Sequence, residues 1–359
     1  MNKAVRRSAA QALTLLFAGC GGGNGPSHYP TIVDRFEVGA NVYVRSLAVD
    51  AAANTLWVGS SVGVMEIDLA TNVLRNSFTR ADGLANEYVF AIGIDSLGYK
   101  WFGTNAGGAS RYRGGDWQTF FPMHGLADYW VYAFAEQSGR RYWVGTWAGA
   151  NRVDLDDMQF VTFKEELINE WVYGIDVDSK DRVWFGTEGG VSMLEGETWT
   201  HWTHDDGLGA PNDGQLPPSQ NTGLGTRTRH DLSVVESGRE SYNPNYVFSM
   251  HCDEDDVIWA GTWGGGVGWL EGSTWQNLTA RDGLAGNIVY SIVQDREGAY
   301  WFGTNHGLSR YDGKSFKNYG VADGLLGEHV YAITVTPDND IWVGTQNGVS
   351  RLAVTNATT

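Results

Sequence analysis

RDGLAGNIVYSIVQDREGAYWFGTNHGLSRYDGKSFKNYG, residues Arg281–Gly320, carries the pattern that decides the fold. NIVYSIVQD reads as a first strand, followed by a REG turn. AYWFGT reads as a second, followed by NHG. LSRYD is a third, GK a tight turn, and SFKNY a fourth. Short β-branched and aromatic runs bounded by Gly, Asn and Asp are strands joined by turns. Four such strands in about 42 residues make one propeller blade. The pentapeptide WFGTN at Trp301–Asn305 stands also at Trp101–Asn105. The looser form W-x-G-[ST] begins at Trp57, Trp101, Trp143, Trp184, Trp259, Trp301 and Trp342, with spacings of 44, 42, 41, 75, 42 and 41. Repeated Trp and Gly near a 42-residue period indicate a repeat array. No segment shows a helical period long enough for a βαβ alternative. The chain is therefore expected to be all-β, a seven-bladed propeller of four-stranded antiparallel blades over residues 31–355.

The repeat has a packing logic. Trp and Gly lie two apart on the second strand and face the same side. The indole supplies apolar area between blades, and the glycine lets the neighbouring blade approach. A single blade cannot cover its own faces, so the pair must recur. The last unit offers HVYAITV, DIWVGT and GVSRLAV, three strands only. TIVDRFEV, Thr31–Val38, precedes the first complete unit and is expected to supply the fourth strand. This closes the ring and removes two sheet edges.

The composition agrees. Among 359 residues there are 48 Gly, 16 Trp and a net charge of −17. Such an acidic surface repels bare phosphate backbones, which argues against nucleic acid as a partner. MNKAVRR and SAAQALTLLFAG form the basic and apolar parts of a secretory signal, too short to span a bilayer. LFAGC resembles the lipobox of bacterial lipoproteins, although Phe17 stands where leucine is usual. The resemblance implies a signal peptide at 1–19, lipid attachment at Cys20, a Gly-rich tether at 20–30 and an anchor as the only membrane contact. Gly21 after the cysteine favours the outer membrane. An ordinary cleavable signal is the other reading. Cys252 sits in an apolar strand and reads as an inert core residue.

The units resemble the two-component regulator propeller repeats, on DGLANEYVFAIGIDSLGYKWFGTNAGGASRY and DGLAGNIVYSIVQDREGAYWFGTNHGLSRYDG. The resemblance runs from about Thr31 to Val354. It implies a periplasmic sensor propeller, whose ligands in the family include carbohydrates. No kinase or receiver module is present in this sequence, so signalling is expected to run through an envelope partner. The resemblance to virginiamycin B lyase-type propellers is weaker, and their catalytic residues find no match.

Chemistry is sought where a propeller gathers its loops. The residue before the recurrent valine of each first strand is Tyr43, Tyr88, Trp130, Trp171, Tyr246, Ile288 or His329. After the GT or GS of each second strand, Trp147, Glu188 and Trp263 stand out, and His306 follows Asn305. These positions share one face. Aromatic rings mixed with acids and histidines suit a polar ligand with apolar ring faces, such as a sugar. Capping of the inter-blade core is the competing reading. An insertion of about 34 residues, 209–242, carries Arg227, Arg229 and His230 on the same face. It reads as a binding loop or as disorder. No metal-type histidine spacing, EF-hand loop, G-x-S-x-G or P-loop occurs, so no cofactor, metal or catalytic residue is assigned. A glycan-binding sensor is the leading expectation. A protein-interaction scaffold follows, and a lyase or hydrolase comes last.

Overall fold

The computed structural model describes residues 29–212, 216–219 and 240–354. Cys20, Arg227, Arg229 and His230, singled out from the sequence, lie outside the described residues. Strands are numbered β1–β28 in chain order, and they form seven four-stranded antiparallel sheets arranged as the blades of a propeller. The innermost strands are β2 (Val44–Asp50), β6 (Val89–Ile94), β10 (Val131–Gln137), β14 (Val172–Val177), β18 (Asn243–Cys252), β22 (Val289–Gln294) and β26 (Val330–Val335). In the quoted unit the strands are β22, β23 (Tyr300–Thr304), β24 (Gly307–Tyr311) and β25 (Phe316–Tyr319), one or two residues from the sequence reading.

Closure follows the expected route. β1 (Thr31–Glu37) pairs antiparallel with β28 (Gly348–Ala353), the third strand of the last blade. Asp34 and Arg351 join them by an ion pair, and Arg351 also reaches Asp340 at 2.5 Å. The last blade is thus built from both ends of the described chain.

The W-x-G positions explain the ring. The seven tryptophans are between 0% and 5% exposed, so each is a core residue. A Cβ on Gly59 would lie 2.8 Å from Val89 of the next blade, and one on Gly303 would lie 2.6 Å from the carbonyl oxygen of Val330. The same contact joins Gly344 to Val44, which seals the last blade against the first. Any side chain larger than hydrogen would push the blades apart.

A second repeated device lies in the hairpins between first and second strands. The indole N–H of Trp301 donates to Asp295 at 2.8 Å, and that of Trp101 to Asp95 at 2.8 Å. Trp184 uses Asp178 and Trp259 uses Asp253 in the same way. Trp143 uses Gln137 instead. The acidic hairpins therefore satisfy buried donors. The DGL turns are equally structural. Asp82, Asp206, Asp282 and Asp323 each accept a backbone N–H three residues upstream at 2.8 Å. His124 does so through Nδ1 at 3.0 Å, which explains the HGL variant. The following glycines adopt φ between 93° and 119°, the left-handed region where Gly is at ease.

Candidate functional site

The site is set by a departure from ladder pairing in the innermost strands. Each carries a β-bulge one residue past its first valine, as at Val44/Ser46, Val172/Gly174 and Val289/Ser291. A bulged residue leaves the ladder and is re-aimed. The seven bulged residues are Arg45, Phe90, Tyr132, Tyr173, Phe248, Tyr290 and Tyr331. They line the central channel. Ring centroids follow one another round it: Phe90–Tyr132 at 4.8 Å, Tyr132–Tyr173 at 5.0 Å, Tyr173–Phe248 at 5.7 Å, Phe248–Tyr290 at 5.6 Å and Tyr290–Tyr331 at 5.2 Å. Arg45 occupies the seventh place, its guanidinium 4.5 Å from the Tyr331 ring. The sequence reading missed this annulus because it took the residue before the valine, not after it. The signal was present as Val-Phe or Val-Tyr in six of the seven strands.

The aromatic residues singled out from sequence sit on top of this annulus, at the mouth. Trp147, Trp171, Tyr246 and Trp263 are buried in one cluster with Tyr173, Tyr290 and Tyr331. Trp147 meets Trp130 edge-on at 5.1 Å and Trp171 at 4.8 Å. Tyr246 stacks on Trp263 at 5.4 Å, and the Trp263 indole donates to Ser241 Oγ at 2.8 Å. Tyr43, Tyr88, Trp130 and His329 are half-buried, so these four carry the accessible part of the mouth. Tyr43 packs on Tyr331 and Tyr88 on Phe90, while His329 stacks on Tyr331.

Glu188 enters the same system. It is buried, and Tyr173 Oη donates to its Oε2 at 3.3 Å, while Oε1 has no hydrogen-bond partner among the described residues. Burial pushes its carboxyl up to about 8, against the opposing Tyr173 hydrogen bond. Near neutral pH it is therefore largely a protonated acid, able to donate. Burial also raises the phenols of Tyr132, Tyr173, Tyr246 and Tyr290, which stay neutral. Burial lowers His329, chiefly by desolvation.

His306 stands outside the aromatic cluster. It is exposed and held between Glu240 (Nε2, 2.8 Å) and Glu328 (Nδ1, 2.9 Å). Partial burial lowers its pKa, but the two carboxylates outweigh this and raise it above its ordinary value. Cys252 is half-buried, and burial raises its thiol. Among the described residues no group of three or more His, Cys, Asp and Glu could hold a metal. No helix there is long and apolar enough to cross a membrane.

Comparison with known proteins agrees with this architecture. Residues 241–264, 283–306 and 324–347 match the two component regulator propeller family. No curated protein matches this chain. Among solved structures, the extracellular domain of hybrid two component system BT3049 from B. thetaiotaomicron superposes with a TM-score of 0.69 at 21% identity, over 87% of this chain and 39% of that one. The extracellular domain of BT4673 from the same organism gives 0.66 at 20%, over 90% and 40%. The chain thus spans about two fifths of these relatives. Virginiamycin B lyase from Staphylococcus aureus gives 0.64 at 13%, over 90% of this chain and 99% of that one. At these identities the likeness concerns the fold. The matched segments show that the chain carries two component regulator propeller repeats.

Proposed function

We propose that this chain of two component regulator propeller repeats is a ligand-binding, sensory propeller of the bacterial envelope that acts through a partner. The signal-like leader and Cys20 support an anchored position, with the outer membrane as the proposed site of attachment. The observation that carries the ligand-binding role is the mouth itself. Half-buried aromatic faces at Tyr43, Tyr88 and Trp130 share the mouth face with the buried acid Glu188, one of whose oxygens has no partner among the described residues. Flat apolar surface beside a few convergent polar groups is how a cyclic polyol is gripped. A carbohydrate is therefore the ligand class of choice.

The test is calorimetry of the wild type and of Trp130→Ala against neutral and acidic mono- and oligosaccharides. At least one sugar binds the wild type, and Trp130→Ala weakens it by tenfold or more while the protein stays folded. A panel without a binder, or a binder indifferent to Trp130, overturns the carbohydrate reading. A protein-docking scaffold is the second reading. It draws on Met123 (84% exposed) and Val321 (59% exposed), apolar residues on turns of the mouth face. Stable capture of an envelope protein by a wild-type propeller but not by Met123→Glu would favour it.

A further inference from the structure

Below the annulus the channel continues as a cavity of about 220 Å³. Its lining comes from the bulged residue and the next two residues of each innermost strand, for example Arg45, Ser46 and Leu47. None of the mouth residues Tyr43, Tyr88, Trp130 or His329 lines it. The annulus therefore separates it from the mouth, and the cavity lies on the opposite, hairpin side.

One feature of this cavity is electrostatically incomplete. Arg45 is 8% exposed. Its guanidinium lies 4.5 Å from the Tyr331 ring and 5.9 Å from the Phe248 ring, across the channel. Among the described residues it makes no ion pair, and its Nη1 has no hydrogen-bond acceptor. The Tyr290 hydroxyl, in the same annulus, also lacks a hydrogen-bond partner among the described residues. Glu188, an acid of the same aromatic system, is tied to Tyr173. A buried charge is normally paired, because its desolvation is costly. The Tyr331 and Phe248 faces offset part of that cost but leave Nη1 without an acceptor among the described residues. The chain holds 42 acidic residues, so an arginine left without any carboxylate is not for want of acids.

We propose that the channel is a binding site for a compact organic monoanion, whose carboxylate pairs with the Arg45 guanidinium and whose flat body lies against the annulus. A guanidinium presents paired N–H donors that match a carboxylate, and ring faces accept a planar apolar body. A cavity of about 150 Å³ accommodates benzene, so this one has room for an aromatic or short aliphatic carboxylate. The site is independent of the sugar-binding reading of the mouth, since the two are on opposite sides of the annulus.

The experiment is calorimetry of the whole propeller with acetate, benzoate and phenylacetate, and with benzamide as the neutral isostere of benzoate. At least one acid binds, and benzamide binds tenfold or more weakly than benzoate. Arg45→Gln lowers acid binding by tenfold or more, whereas Arg45→Lys, which keeps the charge and loses the paired donors, falls between. The proposal is overturned if no acid binds at millimolar concentration, if benzamide binds as well as benzoate, or if Arg45→Gln binds like the wild type. Should Arg45→Gln fail to fold, the discrimination between acid and amide by the wild type still decides.

Discussion

The belt between blades and the ring around the channel are both aromatic, yet only the belt is uniform. All seven W-x-G units keep their Trp buried, and each glycine meets the valine of the next blade. A closed ring of similar blades poses the same packing problem seven times and receives the same answer. The annulus obeys the repeat in six blades and breaks it at Arg45. At the mouth the break is wider: Tyr, Tyr, Trp, Trp, Tyr, Ile and His occupy one equivalent position. Packing alone does not demand that variety. Where a repeat departs from its own rule, another requirement is acting, and binding is the natural one.

The largest effect should fall in the belt. Trp301 is fully buried and its indole donates to Asp295. Trp301→Ala should cost about 3–5 kcal/mol, from lost transfer energy and the cavity left behind. Denaturant unfolding measures it. A loss below about 1 kcal/mol would show that neighbouring blades collapse into the gap and that the belt is not the rigid element described here.

The belt was also the part most legible in the sequence. The spacing of Trp57 through Trp342, and the missing last strand supplied by Thr31–Val38, gave blade number and closure directly. The observed strand ends one residue earlier, at Glu37. Two things were not legible. Asp178 and Asp253 lie in acidic hairpins that look like solvated turns, and only the folded hairpin brings their carboxylates under a buried indole. The annulus escaped for another reason. Alternation has a period of two, and a bulge inserts one residue that the period cannot place. Strict alternation therefore gives no sign that Arg45 leaves the ladder. The mouth residues were gathered correctly on one face, but sequence could not grade them into buried Trp147, Trp171, Tyr246 and Trp263 and half-buried Tyr43, Tyr88, Trp130 and His329.

A smaller effect belongs to Glu188 in the ring system. Burial raises its carboxyl from 4.5 to about 8. Between these values the unfolded chain has released a proton that the folded chain retains. Stability is thus greatest below about 4.5, falls as pH rises, and levels off above about 8. The total is on the order of a few kcal/mol. Glu188→Gln, which cannot ionise, should flatten the fall in melting temperature across pH 5–8. An unchanged slope would mean that Glu188 is ionised in the folded ring and compensated there.

The smallest effect tests the rim, where His306 bridges Glu240 and Glu328. Its raised pKa has the opposite consequence from that of a buried acid. Partial burial disfavours the imidazolium, but the two carboxylates favour it more strongly. The folded protein then holds a proton that the unfolded chain gives up first. The stabilisation is complete below the ordinary histidine value of 6.5 and is lost as pH rises through the higher folded value. All three side chains are well exposed, so solvent screening keeps the contribution below about 1 kcal/mol. His306→Ala should therefore melt below the wild type at pH 5.5 and together with it at pH 9. Raising the salt to about 1 M, where the Debye length is about 3 Å, should erase most of the difference at pH 5.5. A difference that persists at pH 9 would mean that the imidazole acts by packing, and the rim would then follow the same rule as the belt.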